Sequence, residues 1–262
     1  MKIQFVSMGL IAGFCCLAQG ERIAHGGVNI EMEFVTIGNP NNPAHESGFG
    51  AVPYEYQIAI HEVTADQWEQ VAKKESIMNC PKAPVWKDNE PAAGITWVGA
   101  AMFCNWLTSG DALEGAYHFD EFGTLMAIDR ELALKKYDPI YVLPSEDEWV
   151  KAAYYNGFTY SKFANGAETA PPRVAENRTR SENVWAVGSG VFEQNGTYDM
   201  GGNLAEWTES AFDGGSDYSS KRATRDAAYR FGTTSSIEVR TGKDSTAYAS
   251  SAYGFRVVKV NK

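Results

Sequence analysis

Cysteine, histidine and positive charge are scarce in this 262-residue chain, and each scarcity removes a class of function. Four cysteines occur and none lies after Cys104, so the C-terminal half offers no thiolate to a metal or to a nucleophilic mechanism. The four histidines, His25, His45, His61 and His118, are scattered without metal-ligand spacing. That excludes an iron site built on several converging imidazoles, and each reads as a surface or strand-edge residue. Twenty-three Lys and Arg stand against 33 Asp and Glu, a net charge of −10, with no basic cluster to follow a phosphate backbone. Nucleic acid is therefore excluded as a partner. Phosphate-loop chemistry is absent because Thr241-Gly242-Lys243 lacks the upstream glycine of such a loop. Gly188-Ser189-Gly190 does not have the Gly-x-Ser-x-Gly spacing of a nucleophile elbow.

What is present suits a packed domain. Hydrophobic residues make up 44% and aromatics 13%, ample for a core and against disorder. Met1 to Gly20 reads as a secretory signal: Lys2, an apolar run from Ile3 to Leu17, then small residues at Ala18 and Gly20. The run is too short for a membrane span, and no transmembrane segment follows it. Cys15-Cys16 invites a lipid anchor, but bulky Phe14 favours cleavage after Gly20, leaving a single domain over 21–262. The expected location is secreted, periplasmic or cell-surface. Loss of Lys2 moves the net charge from −10 to −11. The mature chain keeps Cys80 and Cys104, which in an oxidising compartment can form a disulfide. A buried free thiol at Cys104 is the other reading, since Cys104 lies on the apolar face of a predicted helix.

Local signals mark the elements. Met32 to Ile37 and Tyr54 to His61 alternate apolar and polar residues as strands do. Thr64-Ala65-Asp66-Gln67 has capping-box form and predicts a helix from Ala65 to about Lys73. Ser145-Glu146-Asp147-Glu148 is a second box, with acids in the first turn. Val98 to Leu107 predicts a third helix, with Ala100, Phe103, Cys104 and Leu107 facing the core. From Tyr160 to Asn195 the composition is that of long ordered loops. Asp120-Glu121 and Glu146-Asp147-Glu148 read as caps rather than as acid/base pairs. Few helices, short strands and long loops together indicate an α+β architecture.

The segment Tyr198-Asp199-Met200-Gly201-Gly202-Asn203-Leu204-Ala205-Glu206-Trp207-Thr208 is too irregular for a helix or a strand. Gly201-Gly202 permits a tight fold that turns carbonyls inward. Asp199 and Glu206 can then converge with those carbonyls on a hard cation such as Ca²⁺. The alternative is a glycine turn that buries Trp207 and leaves both acids in water.

The same segment resembles the Gly-Asn-x-x-Glu-Trp stretch of the formylglycine-generating enzyme (sulfatase-modifying factor) family, and other motifs follow in that family's order. Pro91 to Trp97 with Ala100 to Leu107 resembles its strand-then-helix segment. Leu143-Pro144-Ser145-Glu146-Asp147-Glu148-Trp149 with Lys151-Ala152-Ala153-Tyr154 resembles its Leu-Pro-(Ser/Thr)-Glu-x-Glu-Trp helix. Tyr253-Gly254-Phe255-Arg256-Val257 resembles its closing Gly-Phe-Arg strand.

The resemblance implies a C-type-lectin-like fold of the sulfatase-modifying factor type. It also implies a structural Ca²⁺ held by Asp199, Gly202, Leu204 and Glu206. Asn177 matches one ligand of a second family calcium site, whose acidic partner Ser181 to Val191 does not identify. Catalytic relatives bind copper(I) through two cysteines that follow a Gly-Gly-Ser-(Tyr/Trp) segment. Here the segment is Asp226-Ala227-Ala228-Tyr229 and the cysteine positions align with Phe231 and Ser236. Neither side chain is a ligand for soft copper(I), so no copper is expected. The function indicated is a secreted, non-catalytic, calcium-stabilised domain that binds a glycan or protein or serves structurally. Phe212, Tyr218, Tyr229 and Phe231 are candidates to stack on such a ligand or to pack the interior. The alternative, from the family alone, is an oxidoreductase that generates formylglycine in sulfatases.

Overall fold

A computed structural model describes residues 18–77, 87, 89–169, 184–215, 221–229, 235–243 and 249–262. The expectations that rest on Met1 to Leu17, Cys80, Asn177, Tyr218 and Phe231 lie outside the described residues. Strand β1 (Gln19–His25) pairs antiparallel with β2 (Val28–Ile37), with Gln19 opposite Phe34 and Gly20 opposite Glu33. A cut after Gly20 would thus trim the first two residues of β1.

Strand β2 carries the period-2 pattern that fixes its register. Ile30, Met32 and Phe34 are buried while Asn29, Glu31 and Glu33 are exposed. It pairs with β3 (Tyr56–Ala59), shorter than the strand expected over Tyr54 to His61. The helices start where their caps predict. In α1 (Ala65–Glu75), Thr64 and Gln67 form both halves of the capping box, and in α4 (Glu146–Tyr154) Ser145 and Glu148 do so. Between these, α2 (Trp97–Ser109) is capped by Thr96 and ends at Gly110, whose φ of 85° suits the left-handed position of a helix end. The apolar face expected of α2 is an underestimate: only Met102 and Ser109 escape full burial, because sheet, loops and α1 pack around it. Ala100, Phe103, Cys104 and Leu107 do face the core.

Three short elements had no clear local signal: the hairpin β4 (Tyr117–Phe119) with β5 (Leu125–Ile128), and helix α3 (Arg130–Lys136). Asp120 caps the β4–β5 turn by accepting from Phe122 and Thr124 N–H groups, not a helix start. Strand β6 (Ile140–Val142) leads into α4. The C-terminal part forms β7 (Ala205–Ala211), β8 (Arg222–Arg225), β9 (Arg240–Lys243), β10 (Tyr253–Gly254) and β11 (Val258–Val260).

The strands make two main sheets. One has the order β1-β2-β3-β11-β6, so the last strand inserts between β3 and β6. The other has the order β10-β7-β8-β9, with β10 parallel to β7. A single core cluster draws on residues from Ile23 to Val260. Its centre is aromatic: Phe255, just before β11, meets Phe103 of α2 at 5.5 Å and Trp68 of α1 at 6.1 Å, both edge-on. The step from β10 to β11 passes through Phe255, Arg256 and Val257, so the closing motif crosses from one sheet to the other. That crossing positions the site.

Candidate functional site

The loop before β7 is irregular as expected, but its conformation differs from the expected one. Asp199, Gly202 and Asn203 have φ of 59°, 125° and 56°, so the left-handed turns fall there and not at Gly201. Asp and Asn tolerate this region better than other side-chain-bearing residues. Four of the loop's N–H groups meet acids. Met200 and Gly201 donate to the Glu193 carboxylate at 3.1 and 3.0 Å. Leu204 donates to Glu62 at 3.1 Å, and Gly202 donates to Asp226. Four backbone amides of the loop are thus satisfied by three buried carboxylates, Glu193, Glu62 and Asp226.

Glu206, the acid of the loop motif, lies fully buried on β7 and faces Arg256. Arg256 Nε donates to Glu206 Oε1 at 3.0 Å and Oε2 at 2.8 Å, and Nη2 donates to Oε1 at 2.7 Å. Trp149 Nε1 adds a bond to Oε2 at 2.7 Å. A carboxylate has about four lone-pair directions, and those of Glu206 are filled by N–H groups. The remaining Arg256 donors reach backbone carbonyls: Nη1 to Ala59 and Ile60 at 3.1 and 3.0 Å, Nη2 to Tyr198 at 3.0 Å. Every N–H of this buried guanidinium has a partner. Burial alone would lower its pKa; the Glu206 carboxylate more than offsets that and holds the charge in place.

Asp199 takes a separate role. Its Oδ1 accepts from Trp185 Nε1 and its Oδ2 from Gly188 N–H, both at 2.9 Å. Asn203 fixes Glu62 through a 2.6 Å bond and bonds the Trp185 backbone in both directions. Burial raises the carboxyl pKa of Asp199, pushes Glu193 up to about 8 and drives Glu62 well upward, Glu62 also feeling the charges of Asp199 and Glu206. Arg256 acts against the upward shift of Glu62, Glu193 and Asp199.

These contacts bear on two of the four expected calcium ligands, the carboxylates of Glu206 and Asp199. Glu206 does not fit a Ca²⁺ ligand while Arg256 and Trp149 fill its lone pairs. Asp199 holds Trp185 and Gly188. Among the described residues no group of three His, Cys, Asp or Glu side chains is placed to hold a metal ion.

The other motif acids also end on arginines. Glu146 lies 2.7 Å from Arg225 Nε and pairs with Arg240 at 2.5 and 2.9 Å. Phe49 stacks beneath both guanidiniums at 4.6 and 4.9 Å. Glu148 takes a two-pronged contact from Arg130 at 2.9 and 3.0 Å and a bond from Tyr54 at 2.9 Å. Burial opposes the Glu148 charge, yet Arg130 holds its pKa below the usual range. The capping reading of these acids was therefore incomplete: Glu148 caps α4 and also binds α3 to it.

At the position of the family's copper-binding segment, Asp226 is buried with φ of 70°, a left-handed angle that glycine adopts more easily. Burial drives its pKa well up, and Ser235 lies against it. Ser236 follows Ser235 and offers only a hydroxyl. Cys104 is a free thiol in the middle of α2, fully buried, with its pKa raised by burial and then by Glu209. Of the candidate stacking aromatics, Tyr229 is buried in the core, and Phe212 is half-buried with Arg240 stacked on it at 4.1 Å. The histidines are separate: His25 bonds the Leu107 carbonyl, His61 stacks by Tyr198, and His45 and His118 lie on other elements.

The family model described as "Sulfatase-modifying factor enzyme 1-like domain" matches residues 18–261. Among solved structures, Treponema denticola variable protein 1 is similar at a TM-score of 0.65 and 20% identity, over 91% of this chain and 98% of its own. CarF is similar at 0.64 and 18% identity, over 88% and 99%. PvdO from Pseudomonas aeruginosa is similar at 0.53 and 16% identity, over 87% and 94%. These likenesses carry the fold, which is C-type-lectin-like. No curated protein sequence matches the chain.

Proposed function

The chain belongs to the sulfatase-modifying factor enzyme 1-like domain family, and from that premise we propose that it is a non-catalytic member, working outside the cytoplasm as a binding or structural domain. The observation that carries this reading is the position of its thiols. The sequence has no cysteine after Cys104, and Cys104 is sealed in the core of α2 with a raised pKa. Copper(I) chemistry needs soft thiolate or thioether ligands at the substrate groove. Ser236 supplies a hydroxyl there, and Asp226-Ala227-Ala228 replaces the small turn through which the backbone approaches the metal.

A calcium-stabilised form of this reading, with Asp199, Gly202, Leu204 and Glu206 as ligands, requires Glu206 to exchange its contacts with Arg256 and Trp149 for the ion. The ligand class is a glycan or a protein, since an acidic chain lacks the basic track that nucleic acid requires. Location outside the cytoplasm rests on the N-terminal segment of Lys2 and the apolar run that follows. No helix among the described residues is long and apolar enough to cross a membrane.

Copper(I) affinity tests the proposal. Titration of the purified protein against a coloured copper(I) chelator should leave all the copper with the chelator. Stoichiometric capture of copper(I) that survives native alkylation would argue for a hidden catalytic site.

A further inference from the structure

We propose that Asn156 is a site of self-modification, converted by the backbone amide of Gly157 through a succinimide into an aspartate or an isoaspartate. The chain has three Asn-Gly pairs, Asn156-Gly157, Asn165-Gly166 and Asn195-Gly196. A glycine after asparagine leaves the attacking nitrogen open on the side that a Cβ would otherwise crowd. The fold then treats the three pairs differently. Attack needs a free glycine N–H and an asparagine amide able to turn towards it. Gly166 N–H donates to the Phe163 carbonyl at 2.9 Å, and Gly196 N–H to the Glu193 carbonyl at 3.0 Å. Asn195 is also held by its own amide nitrogen, which donates to the Ala152 and Tyr155 carbonyls, both at 2.8 Å, at the end of α4. Asn156 is exposed, and the Gly157 N–H has no acceptor among the described residues.

The turn also activates the amide. Asn156 Oδ1 accepts from the N–H groups of Phe158 at 3.0 Å and Thr159 at 2.9 Å. These two bonds hold the side-chain amide against the turn, and they point at the oxygen on which negative charge develops as the nitrogen attacks. Preformed donors at a developing oxyanion lower the barrier. Keeping both reacting groups in one closed turn reduces the entropy lost on approach. Closure comes from Asn156 N–H, which donates to the Thr159 carbonyl at 3.0 Å, and from the pairing of Tyr155 with Tyr160. In the reaction the Gly157 nitrogen bonds to Asn156 Cγ and gives its proton to solvent. The Cγ–Nδ2 bond breaks and Nδ2 leaves as ammonia. Water then opens the ring at either carbonyl. The product adds a negative charge just beyond Tyr155, the C-cap of α4.

The test incubates the purified protein in warm, mildly alkaline buffer and maps its peptides by mass spectrometry over time, beside a sample in denaturant. In the native protein Asn156 should gain the mass of amide-to-acid conversion about tenfold faster than Asn165 or Asn195. That factor corresponds to one ordinary hydrogen bond, which the other two glycines must break before attack. In denaturant the three rates should converge. Asn156→Gln, whose longer side chain cannot close the same ring, should end conversion at this site and leave the other two unchanged. Native Asn165 or Asn195 converting as fast as Asn156 would overturn the proposal. So would an Asn156 that stays intact when native and converts only when unfolded. A spread of the same size persisting in denaturant would place the effect in the local sequence and overturn the role given to the fold.

Discussion

Arg256 and Glu206 meet at 2.7 Å with neither exposed to solvent, joining the crossover between the two sheets to strand β7. The pair is the hub of the acidic loop. Breaking it from the acid side is predicted to be severe: Glu206→Ala leaves a buried guanidinium uncompensated and should cost about 3–5 kcal/mol in urea unfolding. Glu206→Gln keeps the shape and should cost less. Equal, near-zero effects would mean that the pair contributes nothing to the fold.

Trp149 is predicted to share this role through its 2.7 Å bond to Glu206 Oε2. Trp149→Phe keeps most of the ring and removes the donor, for an expected loss of about 1.5–3 kcal/mol. In a double-mutant cycle with Glu206→Gln the two effects should fail to add by about 0.5–3 kcal/mol. Strict additivity would show that the bond carries no energy.

Stability should fall as the pH rises from 4.5 towards 8. Burial pushes Glu193 up to about 8 from the ordinary 4.5, so the folded state holds a proton that the unfolded state has released. A group of this sign stabilises fully below its unfolded pKa, and its contribution is gone above its folded one. Glu62 and Asp199 shift in the same direction. The groups facing Glu193 are Thr197, the Met200 and Gly201 amides, Arg256 and Asp199. Glu193→Gln should flatten the pH profile of Tm across this window. A profile that rises from pH 5 to 8 in the parent would contradict the assignment.

Cys104 is predicted to be a free thiol that native alkylation does not reach. Its side chain is fully buried and its pKa is raised, so both access and thiolate are lacking. Iodoacetamide followed by peptide mapping should find it unmodified in native protein and fully modified in denaturant. Recovery of Cys104 in a disulfide with Cys80 would refute this.

Much of the frame was legible because its signals are local. Thr64 with Gln67, and Ser145 with Glu148, form capping boxes within four residues, and both helices begin there. The pairs β4–β5 and β8–β9 were not legible, since strands of three or four residues gain their stability from distant partners. Strand β1 has no local signal of its own: Gln19 and Gly20 adjoin the apolar leader, and its register comes from pairing with β2. At the site, sequence marked the right loop and the right acids but not their partner. A carboxylate reads the same whether it faces Ca²⁺ or a guanidinium, and the deciding residue stands 50 positions away. The clue was the closing Gly-Phe-Arg motif, whose arginine lies between two buried strands and had to find a buried acid.

Formylglycine formation is the measurement that bears most directly on the proposed function. The purified protein is incubated with copper, oxygen, a reductant and a sulfatase-type cysteine peptide, and the peptide is examined by mass spectrometry for conversion of its thiol to an aldehyde. The absence of a thiolate pair beyond Cys104 predicts no conversion above a no-enzyme control. Turnover well above that control, persisting after Cys104 and Cys80 are alkylated, would contradict the non-catalytic assignment.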